Sequence, residues 1–83
     1  MSSEQYSFID PQLEFKHYFH FWKYEDLNCI SVQSHTLEDV YCSGWNYKII
    51  DGKINWNASA AHNNISAVAK KYMEKHLKLL IFE

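Results

Sequence analysis

Along residues 15–24, Phe-Lys-His-Tyr-Phe-His-Phe-Trp-Lys-Tyr, rings occupy most positions, and the pattern lies in which kind of ring falls where. Read with a period of two, Phe15, His17, Phe19 and Phe21 share one side, and Tyr18, His20, Trp22 and Tyr24 share the other. The first set suits a core. The second has apolar bodies with polar tips, the chemistry enriched where one protein surface meets another. Asp10-Pro11 is also a good helix start, and Phe15, Tyr18, Phe19 and Trp22 fit helical spacing, but the density of aromatics favours a strand.

A second strand is expected over residues 28–34, after a turn through Glu25, Asp26 and Leu27; Ile30 and Val32 fall on one side, with Cys29, Ser31 and Gln33 on the other. Thr36 and Asp39 stand at capping spacing, which fits either a helical turn or an extended link. Gly44 marks a bend or bulge before the next strand. Asp51-Gly52 suits a type I′ turn, whose two central residues both need positive φ, and so predicts a hairpin over residues 45–56. That register sets Ile49 opposite Ile54 and Tyr47 opposite Trp56, with Trp45 on the same side, while Asn46, Lys48, Lys53 and Asn55 face water.

From Ser59 to His76, the positions Ala61, Ile65, Val68, Ala69 and Tyr72 recur at helical spacing with Met73 and His76 beside them, and Ser66, Lys70, Lys71 and Glu74 lie opposite. Asn57 or Ser59 would cap this helix, and Asn63 and Asn64 offer a later start. Residues 77–82 read as a closing strand. Together these elements predict the α+β class: a small antiparallel sheet of about four to five strands, one amphipathic helix packed on one face, and a short closing C-terminal strand. One helix covers one side of a sheet, so the even-numbered aromatics of residues 15–24 are left exposed, or are covered by residues 6–13, by a second copy or by a target.

The 83 residues form one expected domain, residues 1–83, with residues 1–5 flexible; a chain of this size buries roughly 60–65% of its unfolded surface. The net charge of −2 is unevenly spread, with residues 1–52 acidic and residues 53–83 basic. All eight basic residues are lysine. Without arginine the chain lacks the side chain best suited to bidentate phosphate or guanine recognition, which counts against a dedicated nucleic-acid binder. The start has no basic region followed by an apolar stretch, and the apolar run at residues 79–82 is far below the ~20 residues that span a bilayer, so no membrane association and a cytoplasmic location are expected. Cys29 and Cys42 are then expected as reduced thiols.

Candidate chemistry is sparse. His17 and His20 with Cys29 and Cys42 are zinc-compatible types, but a strand sends residues 17 and 20 to opposite faces and no Cys-x-x-Cys knuckle is present. Cys42-Ser43-Gly44 lacks the Gly-x-Ser-x-Gly pattern of a nucleophile elbow, and the sequence has no glycine-rich phosphate loop. His62 and His76 fall near the apolar arc of the helix, where a packed histidine is the plainer reading. No catalytic residue, metal or cofactor is expected, and the chain reads as a non-enzyme.

The expected function is therefore protein binding. Tyr18, Trp22 and Tyr24 are the candidate anchors with His20 beside them, and Glu14, Glu25 and Asp26 form an acidic rim that steers toward a larger partner with a basic surface. A homodimer through the same aromatics is a further expectation, since an apolar sheet edge is usually paired or covered. The alternative is a single-stranded nucleic-acid binder that stacks bases on the aromatic sheet face, with Lys16, Lys23 and Lys48 the nearby cations. In size, acidity, aromatic content and lack of catalytic signatures, the chain resembles the small inhibitor and accessory proteins of phages and mobile elements, including anti-CRISPRs, antitoxins and immunity proteins. That resemblance of type implies a protein of the host cytoplasm that blocks or adapts a larger partner, and it transfers no residues.

Overall fold

The chain folds as a meander followed by a helix. A computed structural model describing residues 5–58 and 65–79 has strands β1 (Tyr6–Asp10), β2 (Phe15–Tyr24), β3 (Leu27–Thr36), β4 (Tyr41–Ile50) and β5 (Lys53–Ile54), then a 3-10 turn at Trp56–Ala58 and helix α1 (Ala67–Leu79). Each strand pairs antiparallel with the next, in the order β1-β2-β3-β4-β5. This is a small α+β protein.

Residues 15–24 form a strand, and the alternation there decides the faces. His17, Phe19 and Phe21 are buried, while the intervening even-numbered residues are half-buried or exposed. The cross-strand register places Phe19 opposite Val32 and Phe21 opposite Ile30, and these in turn lie opposite Trp45 and Tyr47. The inner face of the sheet thus supplies most of the core, and Ile65, Ala69, Met73 and Leu77 complete the same cluster from the helix and its approach. Burial at Ala69, Met73 and Leu77 follows the i, i+4, i+8 row of a helix. Tyr72 stacks on Phe8 at 4.6 Å, and His76 lies 4.1 Å from the Tyr6 ring, which ties α1 to the edge strand β1.

The turns show the chemistry their residues allow. Asp51 and Gly52 have φ of 53° and 75°, as a type I′ turn demands, and Ile49 pairs with Ile54 as expected. Trp56 does not continue that strand opposite Tyr47. It stands on the 3-10 turn, its ring 5.0 Å from Tyr47, with its indole N–H donating to Glu74 Oε2 at 3.0 Å. The β3–β4 link is neither a helical turn nor extended: the Thr36 N–H donates to the Val40 carbonyl, the Asp39 N–H donates to the Thr36 carbonyl, and Asp39 takes φ 70°, closing a short hairpin loop. The bulge falls beside Gly44, because Ser34 pairs with Ser43 while His35 pairs with Tyr41, leaving Cys42 as the extra residue of β4.

Other expectations are corrected. Residues 6–13 do not cover the aromatic face; Tyr6–Asp10 adds a strand at the sheet edge, and Asp10-Pro11 opens a turn instead of a helix. The second strand is longer than residues 28–34, running from Leu27 to Thr36. Helix α1 begins at Ala67, with Ser66 and not Asn57 as its cap: Ser66 Oγ accepts the Ala69 N–H at 3.1 Å, while Ser59, Asn63 and Asn64 lie outside the described residues. Ser66 is buried, not on a solvent side, and Val68 is exposed. Leu77 to Leu79 are the last helical residues instead of the start of a closing strand, the rest of which lies outside the described residues, as do Ala61 and His62.

The late helix start has a non-local cause. Asp10 is fully buried, and its carboxylate accepts hydrogen bonds from the Gln12 N–H at 2.9 Å, the Leu13 N–H at 3.3 Å and the Ser66 hydroxyl. On its other side lies His17 Nε2 at 3.5 Å, and His17 Nδ1 meets Ser34 Oγ at 3.0 Å. Burial alone raises a carboxyl pKa, but these hydrogen bonds outweigh it and hold Asp10 below its usual range. One buried polar chain therefore joins the β1–β2 turn, β2, β3 and the helix cap.

Candidate functional site

Two groupings of chemistry-bearing residues stand out, one inside the protein and one on its surface. The inner one holds an aspartate, a histidine and a serine in hydrogen-bonding sequence, the residue types of nucleophilic catalysis. A nucleophile must meet its substrate, and Ser34 at 2% exposure meets His17. Burial also pushes the His17 imidazole below its ordinary value, against the hydrogen bond and charge of Asp10. These buried hydrogen bonds tie the β1–β2 turn, β2, β3 and the helix cap together.

The surface grouping is the outer face of the sheet, opposite the side that joins α1. Alternation along β2 puts Lys16, Tyr18, His20, Trp22 and Tyr24 there, and the register sets His35, Gln33, Ser31, Cys29 and Leu27 of β3 directly across. Gly44, Asn46 and Lys48 of β4 continue the same rows. The three anchor candidates and His20 are thus brought onto one face: Tyr18, His20 and Trp22 half-buried, and Tyr24 at 58% exposure. Trp22 and Tyr24 form an edge-to-face pair with centroids 6.2 Å apart.

Cys29 is buried on this outer face, not in the core cluster. Its cross-strand neighbours are Trp22 and Lys48. A thiol can be dry on an outward face when a large ring and an aliphatic stem lie over it.

The two ends of the face differ. At one end the Tyr18 hydroxyl donates to Asp39 Oδ1 at 2.8 Å, its ring meets His35 edge-on at 4.7 Å, and His35 packs edge-on against Tyr41 at 5.6 Å. Lys16 Nζ sits 4.9 Å over the Tyr18 ring, and hydrogen bonding to Tyr18 with the charge of Asp39 raises the Lys16 pKa. At the other end, Tyr24 leads into the exposed two-residue turn Glu25-Asp26, with Glu25 at φ 55°. Glu14 is not part of this rim. It lies in the β1–β2 turn, at the opposite end of β2 from Glu25 and Asp26.

His35, Asp39 and Tyr41 join the site without having been singled out from the sequence. Reading residues 36–39 as a possible helical turn broke the alternation that would have carried β3 to Thr36 and begun β4 at Tyr41. Gly44 supplies room for this arrangement: a Cβ there would stand 3.2 Å from the Tyr41 hydroxyl oxygen and from Gln33 Cγ.

Among the described residues, no group of three or more His, Cys, Asp or Glu side chains is placed to hold a metal ion, and no helix is long and apolar enough to cross a membrane. No protein-family model, curated protein or solved structure matches the chain.

Proposed function

We propose that the outer sheet face is a docking surface for a larger protein, and that the chain is a non-enzymatic binding module that blocks or adapts this partner. One observation carries the reading: the aromatic row Tyr18, His20, Trp22 and Tyr24 lies on the side of β2 that the core does not use. Large rings with polar tips, presented on one face of an antiparallel sheet, combine high contact area with little side-chain entropy to lose. Glu25 and Asp26 add negative charge beside the row, which favours a partner with a basic surface and speeds its approach.

The test compares capture of a protein partner by the wild-type chain, by Trp22→Ala and by Lys71→Glu, whose site lies on the exposed side of α1. The reading expects capture by the wild type and Lys71→Glu and its loss with Trp22→Ala. Capture that survives Trp22→Ala, or that disappears on nuclease treatment, contradicts it.

A further inference from the structure

The two ends of the outer face repeat one combination of groups. At the first, a cation of the chain itself shows how the combination works: Lys16 lies over the Tyr18 ring, and that ring is tied to the Asp39 carboxylate. A ring face attracts a cation through its quadrupole, and an adjoining carboxylate adds Coulomb attraction in the same place. At the second end, the strand that carries the Trp22–Tyr24 pair runs straight into the exposed acidic turn Glu25-Asp26, which joins Tyr24 to its cross-strand partner Leu27. Among the described residues, the lysines that lie over rings are Lys16 on Tyr18 and Lys70 on Trp56, and none of the described lysines lies over Trp22 or Tyr24.

We propose that the Tyr24 end of the docking face seats an arginine side chain from a basic segment of the partner, with the Tyr24 ring against the guanidinium plane, Trp22 beside it, and Glu25 and Asp26 on its N–H groups. Arginine fits better than lysine. Its planar guanidinium stacks on a ring while its edge forks toward a carboxylate, whereas an ammonium is a compact, strongly hydrated charge. Lys48 stands in the Trp22 row, one strand beyond Cys29, and repels a second cation there, which favours the Tyr24 side of the pair for the incoming charge. The edge-to-face geometry of the pair leaves the exposed Tyr24 ring free to lie along the guanidinium. This inference rests on the docking reading and specifies its chemistry.

The experiment titrates the full chain with a hexa-arginine peptide and follows the backbone amides and the indole N–H signals of Trp22, Trp45 and Trp56 by NMR. Expected is a saturable shift of the Trp22 indole and of the Glu25 and Asp26 amides, with Trp45 and Trp56 unmoved. The double variant Glu25→Gln/Asp26→Asn should bind about tenfold more weakly, the effect of losing roughly one desolvated charge pair. Asp51→Asn removes negative charge from the neighbouring turn at a residue with φ 53°, a conformation asparagine accepts, and should leave the affinity unchanged. Equal weakening by Asp51→Asn, equal shifts with hexa-lysine or with an oligothymidylate, or shifts confined to other acidic turns would overturn the proposal. The docking face and the arginine seat fail separately. A partner lost on Trp22→Ala but indifferent to Glu25→Gln/Asp26→Asn keeps the docking face and overturns the arginine seat, whereas a partner retained by Trp22→Ala overturns both.

Discussion

His17 Nε2 lies 3.5 Å from Asp10 Oδ2, with both side chains fully buried. An ionised carboxylate only accepts hydrogen bonds, so Nε2 carries the proton, and in the neutral ring Nδ1 is then the acceptor of the Ser34 hydroxyl. The arrangement is satisfied with a neutral imidazole, and protonation at Nδ1 turns the acceptor facing Ser34 into a donor.

A pH dependence of stability follows. Burial holds the His17 pKa below its ordinary 6.5, so the unfolded chain takes up that proton first. The stability that depends on neutral His17 is complete above about pH 6.5 and is lost as pH falls below it toward the folded value. Asp10 is held below 3.8, so its share is present above that value and is lost only as pH falls through its lower folded value. Thermal melting between about pH 8 and 5 should show a falling Tm below about 6.5, and His17→Gln should remove most of that slope. An identical slope in the variant would show that His17 is not the group responsible.

The helix cap should respond in an unusual order. Aspartate normally caps a helix as well as serine, and Ser→Ala at such a position costs about 1–2 kcal/mol. Here the Ser66 hydroxyl both accepts the Ala69 N–H and donates to Asp10. Ser66→Asp replaces that donor with a second carboxylate beside the first and should destabilise more than Ser66→Ala. Urea midpoints of the two variants decide it.

Phe21 and Trp22 are neighbours in sequence on opposite faces, and they should differ accordingly. Phe21→Ala opens the core and should cost about 3–5 kcal/mol, while Trp22→Ala should cost about 1 kcal/mol or less. Removing the Trp22 ring should also uncover Cys29, which it faces across the β2–β3 pair. A water-soluble thiol reagent should label the exposed Cys42 rapidly in the wild type and both cysteines rapidly in Trp22→Ala. Labelling of Cys29 at the wild-type rate would mean that other groups shield it.

What the sequence disclosed depended on how local each cause was. The faces of β2 were legible because phenylalanines and tip-bearing rings alternate over ten residues, and the Asp51-Gly52 turn because positive φ at two positions selects those residue types. The start of α1 was not. Asn57, Ser59, Asn63, Asn64 and Ser66 are all cap residues by type, and what selects Ser66 is a bond to Asp10, far away in the chain. Asp10 itself reads as a turn residue before proline, and its burial depends on donors from the turn that follows it, from His17 and from Ser66. Strand β1 was missed because Ile9, apolar yet 62% exposed, blurs the alternation of Tyr6, Phe8 and Asp10. On the docking face, Tyr18, His20, Trp22 and Tyr24 were legible as a row, whereas His35, Asp39 and Tyr41 reach them only through pairing across β3 and β4.

The docking face is tested by the dissociation constant of the captured partner for wild type and Trp22→Ala, measured on protein whose circular dichroism spectra coincide. The docking reading predicts a loss of about 2 kcal/mol or more, roughly thirtyfold in the dissociation constant, with folding intact. An unchanged dissociation constant would contradict it, and unfolding of Trp22→Ala would place the even-numbered side of β2 in the core.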